Sequence, residues 1–168
     1  MKEDKRLEEK IGSLLRQRKA TLSVAESCTG GLIAHRITNV SGSSDYFEMG
    51  IVSYSNRSKG ELLSVPERDI DRYGAVSHQV AEKMARGIRL KAKTDIGLAA
   101  TGIAGPLGGS HGTPVGTVFI GLDYEGATEV REFHFEGNRE EIKEKASQKS
   151  LEMLMDYLMG NMAGTAQP

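Results

Sequence analysis

The sequence predicts an α/β protein of three layers, α/β/α, on a mixed, mostly parallel sheet that ends in a C-terminal hairpin. Three observations carry that prediction. Helical and strand-like hydrophobic patterns alternate along most of the chain, which puts crossover helices on the faces of a sheet. The last two strand-like runs, 115–124 and 127–136, are separated only by Glu125-Gly126, so they fold back on each other. The chain of 168 residues suits one domain, with an ordered core expected over about 5–159.

Each element has its own signal. Leu7, Ile11, Leu14 and Leu15 recur at helical spacing in a charged background, so 4–18 reads as an amphipathic helix. A short strand over 21–26 has Leu22 and Val24 on one face, and a helix over 29–38 begins directly after it. A serine-rich loop, 41–44, leads into a strand over 46–54 containing Phe47, Met49, Ile51 and Val52. Asn56 is expected to cap a short helix to about Leu63, stopped by Pro66. Ser77 caps the next helix, whose stripe is Val80, Ala81, Met84, Ala85 and Ile88. Residues 96–101 form a run of small apolar side chains, of the kind buried on both faces of a sheet. After the hairpin, Asn138 with Glu141 three residues on makes a capping-box pair. It opens a long helix marked by Ile142, Ala146, Leu151, Leu154 and Leu158, and residues 160–168 are expected to fray.

Composition excludes several classes of function. With 22 basic and 23 acidic residues the formal charge is −1, which argues against a bulk electrostatic grip on nucleic acid or an anionic membrane. The single cysteine, Cys28, has no internal disulfide partner, and no Cys/His spacing suits zinc. The histidines, His35, His78, His111 and His134, are scattered with no i,i+4 pair, so a histidine metal site is not expected. Residues 1–10 are charged and lack the apolar core of a signal peptide, and no run approaches the ~20 apolar residues of a membrane span. A cytoplasmic location is the expectation.

In open α/β sheets, ligands gather at the carboxyl ends of strands. Three segments meet that condition. Glu26-Ser27-Cys28-Thr29-Gly30-Gly31 joins a strand to a helix; Ser27 projects from the turn, and the following amides can hold an anion or an oxyanion. The alternative is that Ser27 or Thr29 simply caps the helix. Tyr54-Ser55-Asn56-Arg57-Ser58-Lys59 puts a phenol at a strand end and an amine near a helix start, where the dipole lowers the pKa of a lysine. A neutral amine can serve as base toward a serine; otherwise Lys59 is a solvated surface residue. The third segment, 101–116, begins at Thr101 and holds Gly102, Gly105, Gly108, Gly109, Gly112 and Gly116. Glycine makes up 20 of 168 residues against an average near 7%, and this cluster marks a loop of demanding geometry or of Ω type. It is not a phosphate-binding Walker loop, because no Lys-Ser/Thr pair follows it. Arg139, at the start of the last helix, either binds an anion or is simply exposed. Cys28 reads as a small buried residue.

Taken together, Ala25-Glu26-Ser27-Cys28-Thr29-Gly30-Gly31, Ser53-Tyr54-Ser55-Asn56 with Lys59, Gly74-Ala75-Val76-Ser77, and Thr101-Gly102-Ile103-Ala104-Gly105-Pro106 with Pro114-Val115-Gly116-Thr117-Val118 form one pattern. It resembles the C-terminal domain of the CinA (competence/damage-inducible) family, in the same order from about residue 8 to 158. Stand-alone members of that family include nicotinamide mononucleotide (NMN) deamidases. The resemblance implies a cofactor-free amidohydrolase that converts NMN to nicotinate mononucleotide and ammonia in pyridine nucleotide salvage. It implies Ser27 as nucleophile, Lys59 as its base, Tyr54 assisting proton transfer and Thr101 positioning or polarising the reacting groups. Cys28, Thr29, Gly30, Gly102 and Gly105 would wall the substrate or supply oxyanion donors, and Arg139 would hold the phosphate. Gly105–Gly112 departs from the family's usual loop, Ser41 stands where proline is common, and Met49 where glycine is common. The alternative reading is a CinA-like domain that binds a pyridine nucleotide without turning it over. The domain that precedes this one in longer members is expected to be absent, and a homodimer or other homo-oligomer is expected.

Overall fold

The structure, a computed structural model, describes residues 5–160. Strands β1 (Leu22–Glu26), β2 (Phe47–Val52), β3 (Ile96–Gly102), β4 (Thr117–Tyr124) and β5 (Ala127–His134) form a single sheet in the order β2-β1-β3-β4-β5. β1 pairs in parallel with both β2 and β3, β4 is antiparallel to β3, and β5 is antiparallel to β4. Four strands therefore point one way and β4 alone opposes them, as expected of a mostly parallel sheet closed by a hairpin. The helices are α1 (Leu7–Arg18), α2 (Leu32–Thr38), α3 (Asn56–Leu63), α4 (Glu67–Tyr73), α5 (His78–Ala92) and α6 (Arg139–Leu158).

Strand alternation divides the core in two. Leu22 and Val24 of β1, Leu98 and Ala100 of β3, and Ile120 and Leu122 of β4 pack with α1, α2 and α6. Ala25 and Ala99, between them in register, turn to the other face and pack with α3, α4 and α5. On that face α5 lies almost on the backbone of the sheet. A Cβ built on Gly97 would come within 2.2 Å of the Ala85 carbonyl oxygen, and one on Gly121 within 2.7 Å of that of Ala81. Small residues in β3 and β4 are what permit this approach.

The caps explain where helices begin, and several departures from the sequence reading follow. The Ser77 hydroxyl accepts from Val80 N–H, and Asn138 and Glu141 cap each other reciprocally, both as expected. At α3, however, Ser55 rather than Asn56 is the cap: its hydroxyl accepts from Ser58 N–H at 3.1 Å, and Asn56 is the first helical residue. α2 starts at Leu32 rather than 29, because Gly30 and Gly31 have φ of +61° and +100°, outside the helical region. α4 was not expected at all. Pro66 ends one helix and stands as the N-cap of the next, and with Ile70 as the one buried residue of α4 there is no periodicity to read. The helix expected from residue 4 begins only at Leu7, with Arg6 as its N-cap; residue 4 itself and the fraying expected over 161–168 lie outside the described residues. Among the described residues no helix is long and apolar enough to cross a membrane.

Candidate functional site

Because β1, β2 and β3 are parallel neighbours, their carboxyl ends share one edge of the sheet, and the three segments singled out by sequence meet there. A cavity of about 260 Å³ joins them, lined by Ser27, Tyr54, Lys59, Thr101, Gly105 and Arg139 among others. Larger grooves of about 670 and 510 Å³ lie between α2 and α6 and between α3 and α4. Neither contains a buried nucleophile, so chemistry rather than size distinguishes the smaller cavity.

On its floor Lys59 Nζ stands 2.9 Å from Ser27 Oγ, with both side chains buried. Nζ also donates to the carbonyls of Ser53 at 2.7 Å and Tyr54 at 3.4 Å. As an ammonium Nζ donates to all three oxygens; once neutral it keeps two N–H donors for the two carbonyls, and its lone pair can then face the serine proton. Burial is the main cause that lowers the Lys59 pKa from 10.5 to about 8. That is a different cause from the helix dipole inferred from sequence. The only opposing influence is Cys28, whose thiol burial pushes up to about 12, so it stays uncharged near neutral pH. That raised pKa also makes Cys28 inert as a nucleophile.

The other expected residues divide between those that reach the cavity and those that do not. Cys28, Gly102 and Gly105 line it. A Cβ on Gly102 would lie 2.7 Å from Val118 Cγ2 and 3.1 Å from the Cys28 sulfur, so the floor has no room for a larger residue. Thr29 is wholly buried and Gly30 faces Lys143 rather than the cavity; neither is in position to touch a ligand there. The Thr101 hydroxyl donates to the Ala75 carbonyl at 2.9 Å, fastening the 74–77 loop over the site. The Tyr54 hydroxyl does not reach Ser27 or Lys59: it accepts from Arg139 Nη2 at 2.8 Å. Arg139 Nη1 donates to the Gly105 carbonyl at 2.7 Å, so Tyr54, Arg139 and Gly105 form a clasp across the mouth. Two of the five guanidinium donors are used in that clasp, and the remainder can meet an anion.

Two features escaped the sequence reading. Ser53 has no chemistry of its own to mark it in the sequence, yet its carbonyl holds the amine. Glu26 was read as the end of a strand, yet its buried carboxylate accepts from the Gly31, Ile33 and Ala34 amides. Those amides are therefore unavailable to an oxyanion. A buried acid directly before a nucleophile candidate was the signal that could have found Glu26.

A family model described as the CinA C-terminal domain matches residues 4–158. The chain is 51% identical over 162 residues to a CinA-like protein of Syntrophus aciditrophicus, a match covering 96% of this chain and 39% of that protein. With a CinA-like protein of Geotalea daltonii it shares 52% identity over 149 residues, covering 89% and 36% respectively. The chain thus spans under two fifths of the length of these relatives. Among solved structures, the competence/damage inducible protein CihA of Agrobacterium tumefaciens superposes with a TM-score of 0.88 at 37% identity, over 91% of this chain and 93% of that one. The competence damage-inducible protein A of Klebsiella pneumoniae gives 0.88 at 33% identity, over 91% and 95%.

Proposed function

The chain belongs to the CinA C-terminal domain family, and from that membership together with the Ser27–Lys59 contact we propose that it is an amidohydrolase acting on the carboxamide of nicotinamide mononucleotide. The observation that carries the proposal is the buried 2.9 Å bond between a hydroxyl and an amine whose pKa lies at about 8. Amide hydrolysis needs a strong nucleophile, a site for the oxyanion and a protonated leaving amine. Lys59 takes the proton of Ser27 Oγ as that oxygen attacks the carboxamide carbon. The tetrahedral oxyanion is met by main-chain donors beside Ser27 or in the glycine-rich loop, each worth roughly 3–4 kcal/mol of barrier. Lys59 returns the proton to nitrogen, ammonia leaves, and an acyl ester remains on Ser27. Water deprotonated by the same amine then releases the carboxylate and restores the serine. The sum is NMN and water giving nicotinate mononucleotide and ammonia.

Arg139 receives the phosphate at the start of α6, where the amides and the guanidinium both favour an anion. The bond from Arg139 to the Tyr54 hydroxyl supports a role for the phenol at this end of the ligand, while the Tyr54 carbonyl accepts from the amine. Thr101 acts through the Ala75 carbonyl, shaping the wall. Incubation of the protein with NMN, following ammonia and the acid product together, tests the proposal. Stoichiometric release of both supports it. Binding of NMN without release would favour the non-catalytic reading.

A further inference from the structure

On the reading that Ser27 is the nucleophile, we infer that Glu26 is its positioning residue: the buried carboxylate clamps the Ser27–Gly31 turn so that Oγ stays in line with Lys59 Nζ. Glu26 is the last residue of β1 and is 1% exposed. Its Oε2 accepts from Gly31 and Ile33 N–H, both at 3.1 Å, and its Oε1 from Ala34 N–H at 2.8 Å. The charge is held by the first turn of α2, and no hydrogen bond to it from a cationic side chain is found among the described residues. A carboxylate so placed is stabilised only while those three amides converge on it.

The turn it clamps has two main-chain hydrogen bonds of its own, from Gly30 N–H to the Ser27 carbonyl and from Leu32 N–H to the Thr29 carbonyl, both at 3.1 Å. Gly30 and Gly31 both adopt left-handed φ, a conformation glycine enters and leaves freely. One end of the turn is fixed by the sheet, where Ser27 N–H donates to the Ala100 carbonyl at 3.0 Å. The other end is fixed by the Glu26 side chain reaching forward to α2. Without that second anchor only those two bonds, made across a pair of glycines, hold the far side of the turn that carries Ser27. The main chain of Glu26 also serves the partner: its carbonyl accepts from Ser53 N–H at 2.8 Å, and the Ser53 carbonyl holds Lys59 Nζ at 2.7 Å. Both halves of the pair are thus referred to a single residue, one through its side chain and the other through its backbone. Only the first is open to mutation.

The probe is a fluorophosphonate, which phosphonylates an activated serine hydroxyl, the new P–O bond replacing P–F with loss of fluoride, and does not depend on an amide substrate. Glu26→Gln keeps shape and volume but turns an N–H donor toward an amide that needs an acceptor. A displacement of about 1 Å at a reacting atom is worth up to about 100-fold in rate. Labelling of Ser27 is expected to fall about 10- to 100-fold in Glu26→Gln, with kcat on NMN falling in parallel and KM within about twofold. Glu26→Asp, which keeps the charge but is one methylene short, is expected to lose less. Circular dichroism and thermal melting confirm that each variant is folded, and if the glutamine variant is not, the aspartate variant decides. Labelling at the wild-type rate in a folded variant overturns the inference, as does a rise in KM with labelling unchanged. Wild-type protein that resists the probe, with turnover surviving in Ser27→Ala, removes the nucleophile and so overturns the underlying functional reading as well.

Discussion

Raising the pH should switch this site on. Lys59 titrates at about 8, so about a tenth of the molecules carry the neutral amine at pH 7 and about nine tenths at pH 9. Since only the neutral amine can accept the Ser27 proton, kcat/KM for NMN should rise about tenfold between those values and then level off. The substrate phosphate adds little to the profile, because its second ionisation, near 6, is already about nine tenths complete at pH 7. The assay is initial-rate ammonia release at NMN well below KM, in buffers of constant ionic strength. The same titration has a consequence for stability. The folded pKa lies below the unfolded value of 10.5, so between pH 8 and 10.5 the unfolded chain holds more protons, and stability gains with pH across that window. Below pH 8 the folded protein carries the full deficit, on the order of 1–3 kcal/mol once the open cavity beside Nζ is allowed for. A rate independent of pH from 7 to 10, or a midpoint near that of a solvated lysine, would refute the reasoning that burial readies Lys59 as a base.

Further outcomes follow from the same geometry. Lys59→Arg should abolish turnover, since guanidinium keeps its proton at any working pH, and full activity in that variant would make the lysine electrostatic only. Lys59→Met should be inactive yet melt higher than wild type at pH 7, and the gain should shrink by pH 10 as the deficit in the parent disappears. Tyr54→Phe and Arg139→Ala should each raise KM for NMN several-fold more than they lower kcat, and should matter little for the riboside lacking the phosphate. A kcat loss at constant KM in Tyr54→Phe would instead put the phenol in the proton transfer. Gly97→Ala should cost about 2 kcal/mol or more in chemical denaturation, because its Cβ would lie 2.2 Å from a main-chain oxygen of α5.

Elements whose side chains alternate or recur were legible before the structure. The stripe of α5 and the apolar run of β3 gave their positions because burial on a defined face leaves a period in the sequence. The Asn138–Glu141 capping box was legible because both halves of the reciprocal bond lie three residues apart. Where no period exists the reading failed, as in α4. The N-terminus of α2 was misplaced by three residues because its cap is not local: the group that satisfies its amides is Glu26, on the strand before it. Capping rules count neighbours along the chain and do not see a carboxylate reaching across a turn. Through the resemblance, most of the residues that meet at the strand-end cavity were legible as a set. Its internal division was not: the Tyr54 hydroxyl on Arg139, Thr101 on Ala75 and Thr29 away from the cavity all depend on side-chain direction at strand ends. The low pKa of Lys59 was anticipated in direction and misattributed in cause, since burial of a lysine is decided by elements far from it in sequence.

The most direct measurement is ammonia release from NMN by Ser27→Ala beside the wild-type protein at pH 9, where Lys59 is mostly neutral. Loss of release to the uncatalysed level, with NMN still bound, is the outcome the buried serine–lysine pair demands. Release at the wild-type rate would mean that the bond is made by some other group and that the pair is only structural.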